Sequence, residues 1–146
     1  MKKLLIIMAI AACCFACKNN EEIKFTETAA EGIEGEFSGT WTRALDDDIV
    51  SGPGTITFVA TEDPYVVNII AFCPEPMINR AGIANVAHSD HEYIFYNNST
   101  DESAGFGAKF SGRVYKDNTI DMQYTVEEQV GRFKKTYKFT FAGSKN

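Results

Sequence analysis

The run His88-Ser89-Asp90-His91-Glu92 holds the side-chain types that bind metal. Zinc needs imidazole, thiolate or carboxylate groups converging at about 2 Å. Two strand residues an odd number apart point to opposite faces, so His88 and His91 meet only if a loop carries them. The run reads as a solvated acidic turn, and no metal is assigned. Asp46-Asp47-Asp48 offers oxygen to a hard cation but lacks the spaced ligands and glycine of a calcium loop. Cys73 precedes Pro74-Glu75-Pro76 and has only His88 and His91 as imidazole bases in the whole chain. A nucleophilic cysteine needs a base and an orienting group beside it. Cys73 reads instead as a half-buried thiol at a strand end, where residues without an N–H stop the ladder. No Gly-x-Ser-x-Gly, His-Glu-x-x-His or phosphate loop occurs. Ser38-Gly39, Ser51-Gly52 and Ser111-Gly112 lack the second glycine of a nucleophile elbow. No catalytic residue and no cofactor is assigned, and the chain reads as a non-enzyme. A hydrolase would have to work through His88 or His91.

The other cysteines, Cys13, Cys14 and Cys17, fall within the first seventeen residues. Met1-Lys2-Lys3 is basic, Leu4 to Phe15 is apolar and uncharged, and Lys18-Asn19-Asn20-Glu21-Glu22 follows Cys17. An apolar run of about a dozen residues is shorter than the ~20 of a spanning helix, so residues 1–16 read as a secretory leader. Ile10-Ala11-Ala12-Cys13 and Cys14-Phe15-Ala16-Cys17 both resemble the lipobox of bacterial lipoproteins, whose cysteine becomes the acylated N-terminus. Cys17 is favoured because the polar stretch that should follow an anchor begins only at Lys18; Cys13 is the alternative. The resemblance implies a cell-envelope, outer-membrane lipoprotein on the periplasmic or surface face, tied to the membrane by its acyl chains. The Cys-Lys-Asn-Asn-Glu-Glu start also resembles the export tags of Bacteroidetes surface lipoproteins, with a solvated linker as the other reading. Losing Lys2 and Lys3 takes the basic count from 14 to 12 against 20 acidic residues, and the net charge from −6 to −8. Cys73 then has no intramolecular disulfide partner if Cys17 carries lipid.

The elements that must position any site are strands. Residues 17–35 read as the lipidated cysteine and a flexible tether, and residues 36–146 as one domain, matching a length of 146 residues. Apolar residues make up 45% of the chain, too many for disorder. No basic stripe is present, which argues against nucleic acid as a partner. From Phe37 onward the hydrophobic period is two. Phe37, Gly39 and Trp41 share a face, as do Ile56, Phe58 and Ala60. Residues 65–72 are almost continuously apolar, and Tyr93 to Tyr96 is a short aromatic run. Phe106 to Val114, Ile120 to Val126 and Phe133 to Phe141 alternate again. Turn signals separate these runs at Asp46-Asp47-Asp48, Ser51 to Gly54, Glu62-Asp63-Pro64, Asn97 to Gly105, Lys116-Asp117-Asn118 and Gly131. Residues 76–87 offer at most a helical turn. Eight strands with short links favour an antiparallel up-and-down meander closed into a barrel; a β-sandwich is the alternative.

Gly39-Thr40-Trp41 on the first strand resembles the Gly-x-Trp signature of lipocalins and the wider calycin group. Phe110 to Val114, Asn118 to Met122 and Tyr137 to Gly143 resemble the layout of calycin-like barrel domains of Bacteroidetes lipoproteins. The resemblance spans about residues 37–143. It implies an eight-stranded calycin-like barrel whose Trp is covered by a basic side chain from near the last strand, for which Lys134, Lys135 and Lys138 are the candidates.

Eleven Phe, six Tyr and one Trp are enough to fill such a barrel or to line a cavity in it. The leading expectation is a small apolar ligand held inside the barrel by Trp41, Phe58, Phe95, Phe110 and Tyr124. The alternative is a filled barrel whose segments 44–54, 73–80 and 97–105 meet a protein or a glycan.

Overall fold

The computed structural model of the chain describes residues 29–99 and 105–146. They form α1 (Ala29–Ile33), β1 (Gly35–Leu45), β2 (Asp48–Ala60), β3 (Val66–Cys73), β4 (Ile78–His88), β5 (Glu92–Asn97), β6 (Phe110–Tyr115), β7 (Thr119–Val130) and β8 (Phe133–Lys145). Each strand pairs antiparallel with the next, and β8 returns to β1 from Phe37↔Lys145 to Ala44↔Lys138. The order β1 to β8 is therefore a closed barrel. Closure satisfies both edges of the sheet and excludes the two-layer sandwich. The expected all-β, up-and-down, eight-stranded barrel is what the chain builds.

Two local expectations change. Residues 29–33, read as tether, form a helical turn with Ala29, Ala30 and Ile33 buried. Ala30 N donates to Pro64 O at 3.0 Å, and Ala60 N donates to Glu34 Oε1 at 3.3 Å. Ile33 stoppers this end of the barrel, which a period-two reading does not register. Residues 76–87 supply most of β4 rather than a helical turn, because alternation from Ile78 to Val86 decides the conformation. Pairing of β3 with β4 ends at Cys73↔Ile78, with Pro74 and Pro76 in the connection.

The inward rows fill the barrel with rings. Phe58 on β2 reaches across to Phe95 on β5, with centroids 4.8 Å apart and planes at 68°. Phe37 meets Phe58 edge-on at 5.8 Å, and Trp41 packs on Phe141 at 5.0 Å and Tyr124 at 6.1 Å. Edge-to-face pairs add about 0.5–1.5 kcal/mol each beyond the area they bury. The rings fit because residues beside them have no side chain. A Cβ on Gly112 would overlap Phe95 Cζ and the Asp121 carbonyl, and one on Gly54 would lie 2.7 Å from Trp41 Cδ1. The Trp41 indole N–H is satisfied by Thr55 O at 3.4 Å.

Gly112→Ala should therefore cost about 1–3 kcal/mol. Urea unfolding checks this: the midpoint should fall with the slope unchanged. Unaltered stability would mean that Phe95 is not packed on that backbone.

Candidate functional site at the far end of the barrel

The barrel has unlike ends. The chain enters the described structure at α1, which caps the end holding the β2–β3 and β4–β5 links. The opposite, far end gathers the β1–β2, β3–β4 and β7–β8 turns and the β5–β6 loop. Segments 44–54 and 73–80 and the described part of 97–105 lie there, as the sequence groups them.

All five residues expected to contact a ligand point inward. Trp41, Phe58, Phe95, Phe110 and Tyr124 are each at most 3% exposed. They are brought together, but against one another and against Phe106, Phe139 and Phe141.

Phe106 was expected on a strand. It sits in the β5–β6 loop yet still turns inward, packing on Phe110 at 4.8 Å and edge-on to Tyr124 at 5.5 Å. The flanking Gly105 and Gly107 adopt φ of 93° and 61°, a region that favours glycine. Gly105 also presses on the Ala81 carbonyl, where no Cβ fits. The Gly-Phe-Gly triplet was the available signal for this plug. Arg80, inward on β4, donates from Nη1 to Phe106 O at 2.7 Å and lies 5.9 Å from the Tyr124 ring centroid. A hydrogen bond from a charged donor is worth about 1.5–3 kcal/mol, so Arg80 fastens the plug. Asn97 is buried and satisfied, giving Nδ2 to Ile83 O and taking Ser99 N at Oδ1, both at 2.7 Å.

Tyr124 is the polar exception. Its ring stacks on Phe139 at 4.7 Å and 5°, and its Oη is buried beside the Arg80 guanidinium without a well-formed hydrogen bond. Burial pushes its pKa up to about 12, and the Arg80 guanidinium opposes part of the rise. Arg43 Nε is the other such atom among the described residues. The Arg43 guanidinium faces Asp48 at 3.9 Å and the Tyr137 ring at 5.9 Å.

The rim sets exposed apolar side chains among charged ones such as Asp46, Asp47, Glu75 and Arg132. Met77 is 87% exposed in the β3–β4 turn, Ile49 64% at the start of β2, and Phe133 78% at the tip of β7–β8. Pairing of β6 with β7 stops at Phe110↔Tyr124, and pairing of β8 with β1 stops at Lys138↔Ala44. The β7–β8 pairs from Val126↔Tyr137 to Val130↔Phe133 thus project as a free two-stranded arm. Lys134 bridges to Glu127 on this arm. At its base is a groove of about 450 Å³ lined in part by Lys109, Ser111, Gln123 and Lys138. The segments chosen from the sequence omit the arm's turn, because Val130-Gly131-Arg132-Phe133 does not read as a long loop.

The other candidates are dispersed. His88 closes β4 and packs on Tyr93 at 4.6 Å, while His91 lies in the next turn. Among the described residues no three His, Cys, Asp or Glu side chains gather as a metal site. Cys73 is buried, its Sγ near Glu75 O at 3.2 Å and Pro53 O at 3.3 Å. Lys134 and Lys135 belong to the arm. The last-strand cation found over a ring is Lys145, 5.8 Å from Phe37 rather than on Trp41. The leader, Cys13, Cys17 and residues 18–28 of the tether lie outside the described residues. The chain matches no family model and no curated protein.

Tyr124→Phe should leave stability unchanged or raise it by about 1 kcal/mol at pH 7, since it removes a buried hydroxyl that makes no well-formed hydrogen bond. A raised folded-state pKa favours the neutral phenol. The associated stability is whole below about pH 10 and is lost as pH rises toward 12. Denaturant midpoints from pH 8 to 12 should thus fall more steeply for the unsubstituted chain than for Tyr124→Phe. Parallel curves would show that the phenol titrates normally.

Proposed function

We propose that the protein is an envelope lipoprotein whose barrel is a stiff, ring-filled scaffold for a binding surface at the far end. The observation that carries this reading is the placement of Ile49, Met77 and Phe133. These exposed apolar side chains come from three separate turns of one end. The described chain begins at the opposite end, at Ala29. A tether attached there holds the rim away from the membrane, toward a protein or glycan partner. Phe and Met are among the side chains enriched in the buried centres of protein interfaces. Cys17 is the lipid attachment point in this reading.

Two measurements test it. Cys17→Ala should move the protein from the membrane to the soluble fraction; unchanged partitioning would transfer the anchor to Cys13. A photo-crosslinking residue at Phe133 or Met77 should yield a discrete adduct in cells, whereas one at Tyr65, 63% exposed at the helix-capped end, should not. Equal labelling at all three positions would refute the far end as the binding surface.

A second reading places a small apolar ligand inside the barrel, held by Trp41, Phe58, Phe95, Phe110 and Tyr124. It is favoured by the buried Tyr124 hydroxyl beneath the Phe106 plug, a polar atom left for a ligand to pair with. Here Phe106→Ala should raise the affinity of a fluorescent fatty-acid probe several-fold, and the unsubstituted protein should bring copurifying lipid into the mass spectrum. Absence of both would leave the filled scaffold.

A further inference from the structure

The outer wall of β2–β4 carries no charge. The outward positions from Thr55 to Val59 on β2, throughout β3 and from Asn79 to Ala87 on β4 contain no Asp, Glu, Lys or Arg, in a chain that is 23% charged. Apolar residues stand in the open on it: Phe72 is 51% exposed, Ile83 46%, Ile70 43% and Val59 41%. Cross-strand register arranges them in rows. Val59, Asn68 and Ile83 form one row, and Thr57, Ile70 and Ala81 the next.

We propose that this wall is the interface of a homodimer whose two-fold axis runs along β3. A rotation about that line sets each row on its own reverse. Val59 meets the partner's Ile83, and Asn68 meets its symmetry mate. Ile70 and Phe72 meet theirs below it. The pattern of aliphatic, amide, aliphatic is its own complement, as an isologous contact requires. Asn68 decides against a bilayer as the occupant. Burying an amide without a hydrogen bond costs several kcal/mol, and lipid tails offer no acceptor, whereas two facing amides satisfy each other. Net negative copies also meet here without opposing charges. The axis leaves both helix-capped ends, where the N-terminal segments begin, on one side. Strand spacing and rise give the three-strand wall roughly 14 by 23 Å. The pair would then bury about 650 Å², below the size of stable specific interfaces and in the range of weak, transient ones, so the dimer should be weak and concentration-dependent.

The test uses the full chain in cells and after purification in mild detergent. Ile70→Cys lies on the axis and should crosslink to a species of twice the mass with a short bismaleimide. Thr40→Cys, outward on β1, and the unsubstituted chain, with its own cysteines, should give at least tenfold less. Adding Asn68→Asp sets two carboxylates face to face and should abolish the crosslink with the melting temperature kept. Phe72→Cys replaces Ile70→Cys if the latter does not fold. Three results would overturn the proposal: crosslinking no greater than from Thr40→Cys, an adduct of a different mass, or neutral phosphatidylcholine vesicles that bind the parent but not the Asn68→Asp chain.

Discussion

Closure governs this molecule. Once β8 hydrogen-bonds to β1, every inward side chain shares one narrow lumen with those of seven other strands. An eight-stranded barrel is just wide enough to be filled by side chains or to hold one small ligand. The chain commits large rings to that space, and the Phe58–Phe95 contact spans it. The inward glycines follow from the same constraint. Gly54 and Gly112 stand where a ring from another strand comes against the wall, so large and absent side chains are set opposite each other to keep the packing dense. Gly112 lies in the same inward row as Phe110 and Val114. The alternation that marks β6 as a strand therefore also marks where its wall is thin.

Much of this was legible because a strand's period is short and its turn chemistry local. Phe37, Trp41, Ile56 and Phe58 could be put on one face by counting in twos, and Lys116-Asp117-Asn118 gives the hairpin its left-handed residue, Asn118 at φ 64°. The inward direction of Trp41, Phe58, Phe95, Phe110 and Tyr124 was legible for the same reason. What escaped is what depends on position relative to the closed barrel. Ala29–Ile33 is five residues long, and its burial comes from the mouth it enters rather than from any period of its own. Phe106 obeys the alternation of a strand while its backbone makes two left-handed turns around it. Arg80 looks like a solvated cation until β4 is known to turn it inward. Phe133 looks like a core residue until its turn is known to lead out of the barrel.

The distribution of polarity separates three surfaces that one sequence must specify together. The lumen is apolar apart from its far mouth, where Arg80 and Tyr124 sit under Phe106. The arm concentrates charge: Glu128 faces Lys135 in register, and Lys134 bridges diagonally to Glu127. A free two-stranded ribbon presents unpaired edges, and charged side chains along it resist unselective pairing. The wall of β2–β4 is the reverse case: its edges are fully paired inside the barrel, so aliphatic side chains can stand outward without inviting strand addition.

Tyr124 and Arg80 raise the question of why an apolar barrel keeps polar groups at its mouth. A Phe and a Leu at these positions would pack as well and remove a buried hydroxyl that makes no well-formed hydrogen bond. They would also remove the hydrogen bond that holds Phe106 over the lumen, and a plug fixed by packing alone must lose all its contacts together to move. Here both act together: the Phe106 ring packs on Phe110 and Tyr124 while its carbonyl accepts from Arg80. The same guanidinium lies near Tyr124 and lowers the cost of placing an anion there. The polar pair therefore adds a directional hydrogen bond to the ring packing that holds Phe106 over the lumen, and it sets a positive charge and a phenol at the one mouth of the barrel that the helix does not cap.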